Sequence, residues 1–459
     1  MKKEKVTVAV DFGSSKISAA AAKKKSDGSL DVIAYASLPS SSFIRNGCVY
    51  NIDLTAEAIV QLVDRLEKQL DAKITRVFSG VGGKSLRAVP VTIHRSLEEG
   101  TVITSEMVGE MEEECSNTIT DNMLQLLIPA AEFRVDHKTV SEQNPTGVVC
   151  SYVEGCFQRV MIRPKLYSLF NDSFVKSGLE VADCYVTPVE VADRILTDDE
   201  KQRGCALIDY GADTTTLSVF KNGQLCYLRV LPLGSDTITR DIMNVFKLSH
   251  EAAESLKLTY GLFNLSDSTE ENAIADNTAI PLKQLGDVIS ARNEEILLNI
   301  KHLLSLSEYH DMLYAGIVLT GGGCNLKKLI SAMSQIFPDL HPVRICSEVP
   351  FEVRWKDPMW SRADGTGLSL LSLLSRGDED CCEFPEMDMT KEPTPEEESR
   401  MQIGNLFDDE GECAQPELNI EDDGPDDEEA GTGEEETAPK RRHIDGILKR
   451  LRNFIDEVQ

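Results

Sequence analysis

"VTVAVDFGSSKISAAAAK", residues 6–23, alternates apolar residues into Asp11, breaks at Gly13, and returns as a second apolar run. It reads as two strands and a short turn, that is, a hairpin. The turn offers an oligophosphate the backbone N–H groups around Gly13, the hydroxyls of Ser14 and Ser15 and the ammonium of Lys16, while Asp11 is placed to hold a hydrated Mg2+. A tight hairpin without a ligand explains the same residues. The weight comes from recurrence. "CALIDYGADTTTLSVFKNGQL", residues 205–225, repeats the design with Asp209, Gly211, Thr214 and Thr215, and closes on a "KNG" hairpin turn. "AGIVLTGGGCNLKKL", residues 315–329, sets Gly321, Gly322 and Gly323 between an apolar strand and a helix, where missing side chains let a purine and its ribose pack against backbone. Two Asp-x-Gly hairpins about 200 residues apart suggest a duplicated fold with phosphates clamped between its halves. A structural turn explains each stretch alone but not their order.

Charge is distributed unevenly. The net charge is −30, yet residues 378–439 hold 25 Asp and Glu against Lys391 and Arg400, giving −23, and residues 440–459 carry +3. The remaining body therefore carries −30 + 23 − 3 = −10, and offers no basic patch for nucleic acid. Runs such as "EDDGPDDEEAGTGEEE" lack apolar periodicity, so residues 377–439 are expected to form a disordered acidic linker. At 5–6 Å times the square root of its length, such a chain spans roughly 45 Å.

Beyond it, Ile444, Ile447, Leu448, Leu451, Phe454, Ile455 and Val458 fall at helical spacing, with Lys449, Arg450 and Arg452 on or beside the opposite face. Residues 440–459 are too short to span a bilayer, and an amphipathic helix on an anionic membrane surface is expected. A helix docked on its own domain or on a partner is the alternative. The opening "MKKEKVTVAVDFG" has no signal-peptide apolar run, so a cytoplasmic protein is expected. Twelve cysteines without a CxxC pair or metal spacing read as reduced thiols.

Two phosphate loops followed by an adenosine loop resemble the actin, heat-shock chaperone and sugar-kinase superfamily. Over residues 1–376, through "IRNGCVYNID", "ITRVFSGVGG" and "GIVLTGGG", the chain more closely resembles the FtsA family of bacterial cell-division actin homologues. The linker and terminal helix fit that family too. The resemblance implies an actin-like α/β ATPase fold of two duplicated halves, with ATP and Mg2+ in the cleft. Asp11 and Asp209 would hold the metal through water. Gly13 to Lys16 would wrap the phosphates against Asp209, Gly211, Thr214 and Thr215, Glu254 and Lys257 would reach adenine or ribose, and Gly321 to Gly323 would line the purine. An exposed i,i+3 ion pair explains Glu254 and Lys257 equally well. Arg292 matches an arginine in the region that receives the FtsZ C-terminal tail.

Half one is expected from residues 1–83, 162–201 and 346–376. Residues 84–161 form the inserted α+β subdomain called 1C in that family, with Met107, Met111 and Ile119 on a partly apolar helix. Half two spans 202–345, with 236–293 as its smaller subdomain. The function implied is a peripheral protein of the cytoplasmic face of the inner membrane at the division septum. It would polymerise with itself, tether FtsZ and recruit later division proteins. Two departures stand out. Asp213 lies where many relatives have a run of glycines, and Thr187 precedes Pro188 where hydrolysing relatives place a glutamate, with Glu190 out of register. ATP binding with at most weak hydrolysis is therefore expected. The alternatives are a small-molecule kinase, a chaperone ATPase, or another actin-like assembly protein, such as the pilus-assembly relative.

Overall fold

The computed structural model describes residues 5–120, 122–128, 131–139, 144–261, 272–276 and 278–384. Most of the acidic segment, and the stretch expected to form the terminal helix with its lipid-facing residues, therefore lie outside the described residues.

The first hairpin forms as read. Strands β1 (Val6–Phe12) and β2 (Lys16–Lys24) run antiparallel with Asp11 opposite Ser18. Residues Val6 to Val10 and Ile17 to Ala22 are buried without alternation, because helices cover both faces of the sheet. Four consecutive alanines, Ala19 to Ala22, let those helices approach closely. After β3 (Leu30–Pro39), helix α1 (Ile52–Leu70) starts at Asn51, whose side chain accepts the Leu54 N–H, and ends at Asp71 in the left-handed region. Its Ile59, Leu62 and Leu66 are fully buried, worth about 1.5–3 kcal/mol each. The helix returns the chain to β4 (Arg76–Val81), parallel to β1.

The chain then departs into an inserted subdomain of β5 (Arg87–Val102), α2 (Ser105–Asn117), β6 (Leu124–Leu127), β7 (Ala131–Val135) and β8 (Val149–Ile162). It has its own apolar cluster around Ile93, Met111, Phe133 and Phe157. The expected helix is present, but Met111 and Cys115 bury its inner face, whereas Ile119 lies past its end and is 87% exposed. Arg159 on β8, fully buried, donates to the carbonyls of Cys115 (3.3 Å) and Thr118 (2.5 Å), capping that helix end with a cation.

Helix α3 (Pro164–Ser177) leads to β9 (Glu180–Val186), parallel to β4, and then to α4 (Thr187–Ile195). Next, β10 (Cys205–Tyr210), β11 (Thr215–Lys221) and β12 (Gln224–Leu231) form a second meander. Its "KNG" turn holds Asn222 and Gly223 at φ 52° and 75°. Helices α5 (Ser235–Phe246), α6 (His250–Tyr260) and α7 (Leu282–Leu306) precede β13 (Ile317–Thr320), α8 (Leu329–Ile336) and β14 (Val343–Ile345). Strand β15 (Val353–Trp355) closes the edge of the first sheet beside β3, and α9 (Leu368–Arg376) packs across it.

The duplication is visible in the topology. The strand order β3-β2-β1-β4-β9 in the first sheet has the same order and sense as β12-β11-β10-β13-β14 in the second. The second sheet continues past β12 into β5 of the inserted subdomain through one paired position, Arg229 opposite Arg87. There the Arg229 guanidinium donates to the Ala88 carbonyl at 2.6 Å.

Candidate functional site

The first turns of the two meanders form a matched pair. Asp11 faces Ser18 across its hairpin as Asp209 faces Thr216 across the other. A side chain at Gly13 would press on the Lys16 carbonyl oxygen at 2.6 Å, and one at Gly211 on the Thr214 carbonyl oxygen at 2.9 Å, so both turns require glycine. Lys16 and Thr214 occupy equivalent places. The Ser15 carbonyl accepts the Ser40 N–H, and the Ser40 hydroxyl donates to the Gly13 carbonyl, which fixes the first turn.

The two aspartates lie close enough to influence each other. Burial foremost pushes Asp11 up to about 6, with Lys16 opposing the rise and the charge of Asp209 adding to it. Burial pushes Asp209 up to about 6 as well. A divalent cation suits this pair, since it would relieve both the desolvation and the mutual repulsion of the ionised carboxylates. Among the described residues no group of three or more His, Cys, Asp and Glu side chains is arranged to hold a metal, so a cation here would complete its shell with water and phosphate oxygens.

The third loop stacks on the second turn. Gly321 sits at φ +88°, and a Cβ there would strike the Asp209 carboxylate and, at 2.7 Å, the Tyr210 carbonyl oxygen. A Cβ on Gly323 would meet the Tyr210 ring at 2.7 Å. A loop that sequence reading missed joins this region to the first turn. Lys16 Nζ donates to the Thr366 hydroxyl at 3.2 Å, that hydroxyl donates to Asp364 at 2.6 Å, and the Asn325 amide donates to the Asp364 carbonyl at 2.9 Å. The "ADGTG" glycines at 363–367 were its one sequence signal.

A second missed element is the Asn46–Gly47 turn, both residues at positive φ (50° and 68°). Its successive N–H groups reach opposite jaws: Gly47 donates to Ser14 Oγ at 2.9 Å and Asn46 to Asp213 Oδ2 at 3.2 Å. The turn rests on Gly83, where a Cβ would come within 2.5 Å of the Gly47 carbonyl oxygen. Asp213 is thus tied down, its other oxygen accepting from Arg240 Nη2 at 2.6 Å. Arg240 also pairs with Asp236 at 2.6 Å, whose carboxylate in turn accepts from His250 Nε2 at 2.8 Å.

Other expected site residues take different places. Thr215 is buried and its hydroxyl donates to the Leu233 carbonyl at 2.8 Å, bracing the turn from behind. Glu254 and Lys257 do pair, at 2.7 Å, but the pair is not an exposed one. Lys257 is buried between α5 and α6, its ammonium also donating to the Ser235 carbonyl and the Thr239 hydroxyl. Arg292 on α7 makes a two-pronged bond to Asp241 of α5 (2.6 and 3.2 Å) and pairs with Glu295. Thr187 packs against Gly80, and Glu190, raised by burial, faces Arg376 of α9 at 3.7 Å.

A family model described as Cell division protein FtsA matches residues 206–365. The chain is 31% identical over 346 residues to the cell division protein FtsA of Porphyromonas gingivalis, an overlap of 73% of this chain and 72% of the relative. It is 25% identical to that of Pseudomonas aeruginosa, with 82% and 91% covered, and 27% identical to that of Bacillus subtilis, with 82% and 85% covered. Among solved structures, a chain of a PilM-PilN type IV pilus biogenesis complex shares the fold with a TM-score of 0.55 at 18% identity, over 81% of this chain and 98% of that one.

Proposed function

Because this chain belongs to the FtsA family of cell division proteins, we propose that it is an ATP-binding, membrane-tethered assembly protein of the division machinery. The observation that carries the nucleotide reading is the matched pair of turns, each presenting a buried aspartate and a glycine that admits no side chain, at the same place in two sheets of one topology. Gly13 to Lys16 and Gly211 to Thr214 would grip the phosphates from opposite sides, and Gly321 to Gly323 would lie along the nucleoside. Asp11 and Asp209 would hold Mg2+ through water, the ion neutralising phosphate charge. Glu190 turned towards Arg376, together with Asp193 paired to Lys201 at 2.9 Å, supports binding with little hydrolysis, because both carboxylates of α4 are then engaged elsewhere than on water.

The terminal stripe Ile444 to Ile455, with Lys449, Arg450 and Arg452, would lie in the anionic inner face of the cell membrane at the septum. One such helix binds weakly, and polymerisation of the chain would multiply the contacts. Arg292 would meet the FtsZ C-terminal tail, and the inserted subdomain would contact a neighbouring copy or later division proteins. The test is flotation with anionic vesicles in MgATP, comparing the full chain with one ending at Lys440. Flotation of the full chain alone is expected; flotation of both, or of neither, overturns the anchor.

A further inference from the structure

Two donors hold the Asp213 carboxylate, the N–H of Asn46 and the Arg240 guanidinium, while the next N–H of the same turn, that of Gly47, is taken by Ser14 Oγ of the opposite jaw. Successive N–H groups in a left-handed turn form an anion-binding concavity, and a guanidinium is the side chain best matched to carboxylate or phosphate oxygens. The concavity lies between the two jaws, since Gly47 bonds Ser14 of the first and Asn46 bonds Asp213 of the second. A Cβ on Gly47 would be 4.0 Å from the Thr214 hydroxyl oxygen. Asp213 stands two residues after Gly211 as Ser15 stands two after Gly13, so one jaw carries a charge where its counterpart carries a hydroxyl. That carboxylate is 11% exposed, whereas the Arg240 side chain is 54% exposed and has room to follow a different anion.

We infer that Asp213 is an internal stand-in for a terminal phosphate: its carboxylate caps an anion site made by the Asn46 amide and Arg240, which a nucleoside triphosphate must take over. The inference rests on the nucleotide reading above and adds to it a determinant of triphosphate against diphosphate binding. A triphosphate would push the carboxylate aside and recruit Arg240, while a diphosphate, one group shorter, leaves the cap in place. The carboxylate therefore weakens triphosphate binding selectively, and Arg240 strengthens it.

Calorimetric titration of the full chain with MgATP and MgADP tests this, using Asp213→Asn and Arg240→Gln. Asp213→Asn is expected to tighten ATP about tenfold relative to ADP, and Arg240→Gln to loosen ATP about tenfold while moving ADP less than about threefold. Arg240→Gln changes a half-exposed side chain, so it remains informative if Asp213→Asn folds poorly. An unchanged ATP-to-ADP ratio in both variants overturns the inference and leaves the nucleotide reading standing. Equal weakening of both nucleotides with a fall in melting temperature makes Asp213 a brace for the turn and also overturns it. If the unmodified chain binds neither nucleotide, the nucleotide reading falls, and the inference falls with it.

Discussion

Replacing Asp11 by asparagine should make the protein more stable at neutral pH while removing its hold on Mg-nucleotide. Burial carries this carboxyl from 3.8, its value in an unstructured chain, to about 6. The folded state thus holds the proton more tightly than the unfolded chain. The group's contribution to stability is full below about pH 4 and is lost as pH rises through about 6, above which the ionised carboxylate remains as a cost. At ~1.4 kcal/mol per pH unit the cost is about 3 kcal/mol. That figure is already net of the repulsion from Asp209 and the attraction of Lys16, so about 3 kcal/mol is the gain expected for asparagine at pH 7. For a body of this size that corresponds to about 3–4 °C in melting temperature. Thermal unfolding of the full chain and of Asp11→Asn between pH 4 and 8 measures it. The difference should be largest above pH 7 and shrink towards pH 4, and MgATP should stabilise the unmodified chain but not the variant. An Asp11→Asn protein less stable at pH 7.5, or a difference that ignores pH, would refute the reasoning and make the carboxylate a structural hydrogen-bond partner.

Arg159→Ala should lower stability by about 3 kcal/mol, because it empties a filled space and leaves the Cys115 and Thr118 carbonyls at the end of α2 without their donor. Denaturant unfolding checks this, and a change below about 0.5 kcal/mol contradicts the capping role. Steady-state phosphate release from MgATP by the full chain should be slow, and Glu190→Gln should leave it unchanged. Brisk release abolished by that substitution would place Glu190 in the chemistry despite its partner Arg376.

The two hairpins and the triple glycine were legible because each is a local device: a strand that ends in an aspartate, and a turn that only glycine can make. From them the duplicated topology followed. What stayed hidden is held by contacts far apart in sequence. Asn46 meets Asp213 across 167 residues and Lys16 meets Thr366 across 350, so no window of sequence contains either pair. Thr215 illustrates a subtler failure. Along a strand side chains alternate faces, and a hydroxyl-rich run does not say which hydroxyl faces the cleft and which braces the turn. Lys257 was legible as the partner of Glu254 but not as a buried cation, because burial depends on α5, whose Ser235 and Thr239 receive it. Ile119 was placed on a helix by spacing alone, while Thr118 ends that helix one residue earlier.

The single paired position between Arg229 and Arg87 has a mechanical meaning. The inserted subdomain is rooted by covalent chain in half one, at Val81 and again at Arg163, yet its strand β5 is stitched to the edge of half two. A body pinned at two points on two different bodies is a coupler bar. Were the halves to rotate about their cleft, the pins would shift relative to each other and the bar would have to swing. Because its long strands β5 and β8 run far beyond the pins, a small rotation at the cleft becomes a larger arc at the outer end, where Val102 and Val149 lie paired and exposed. A surface that meets other molecules there would sense the cleft at a distance through leverage alone.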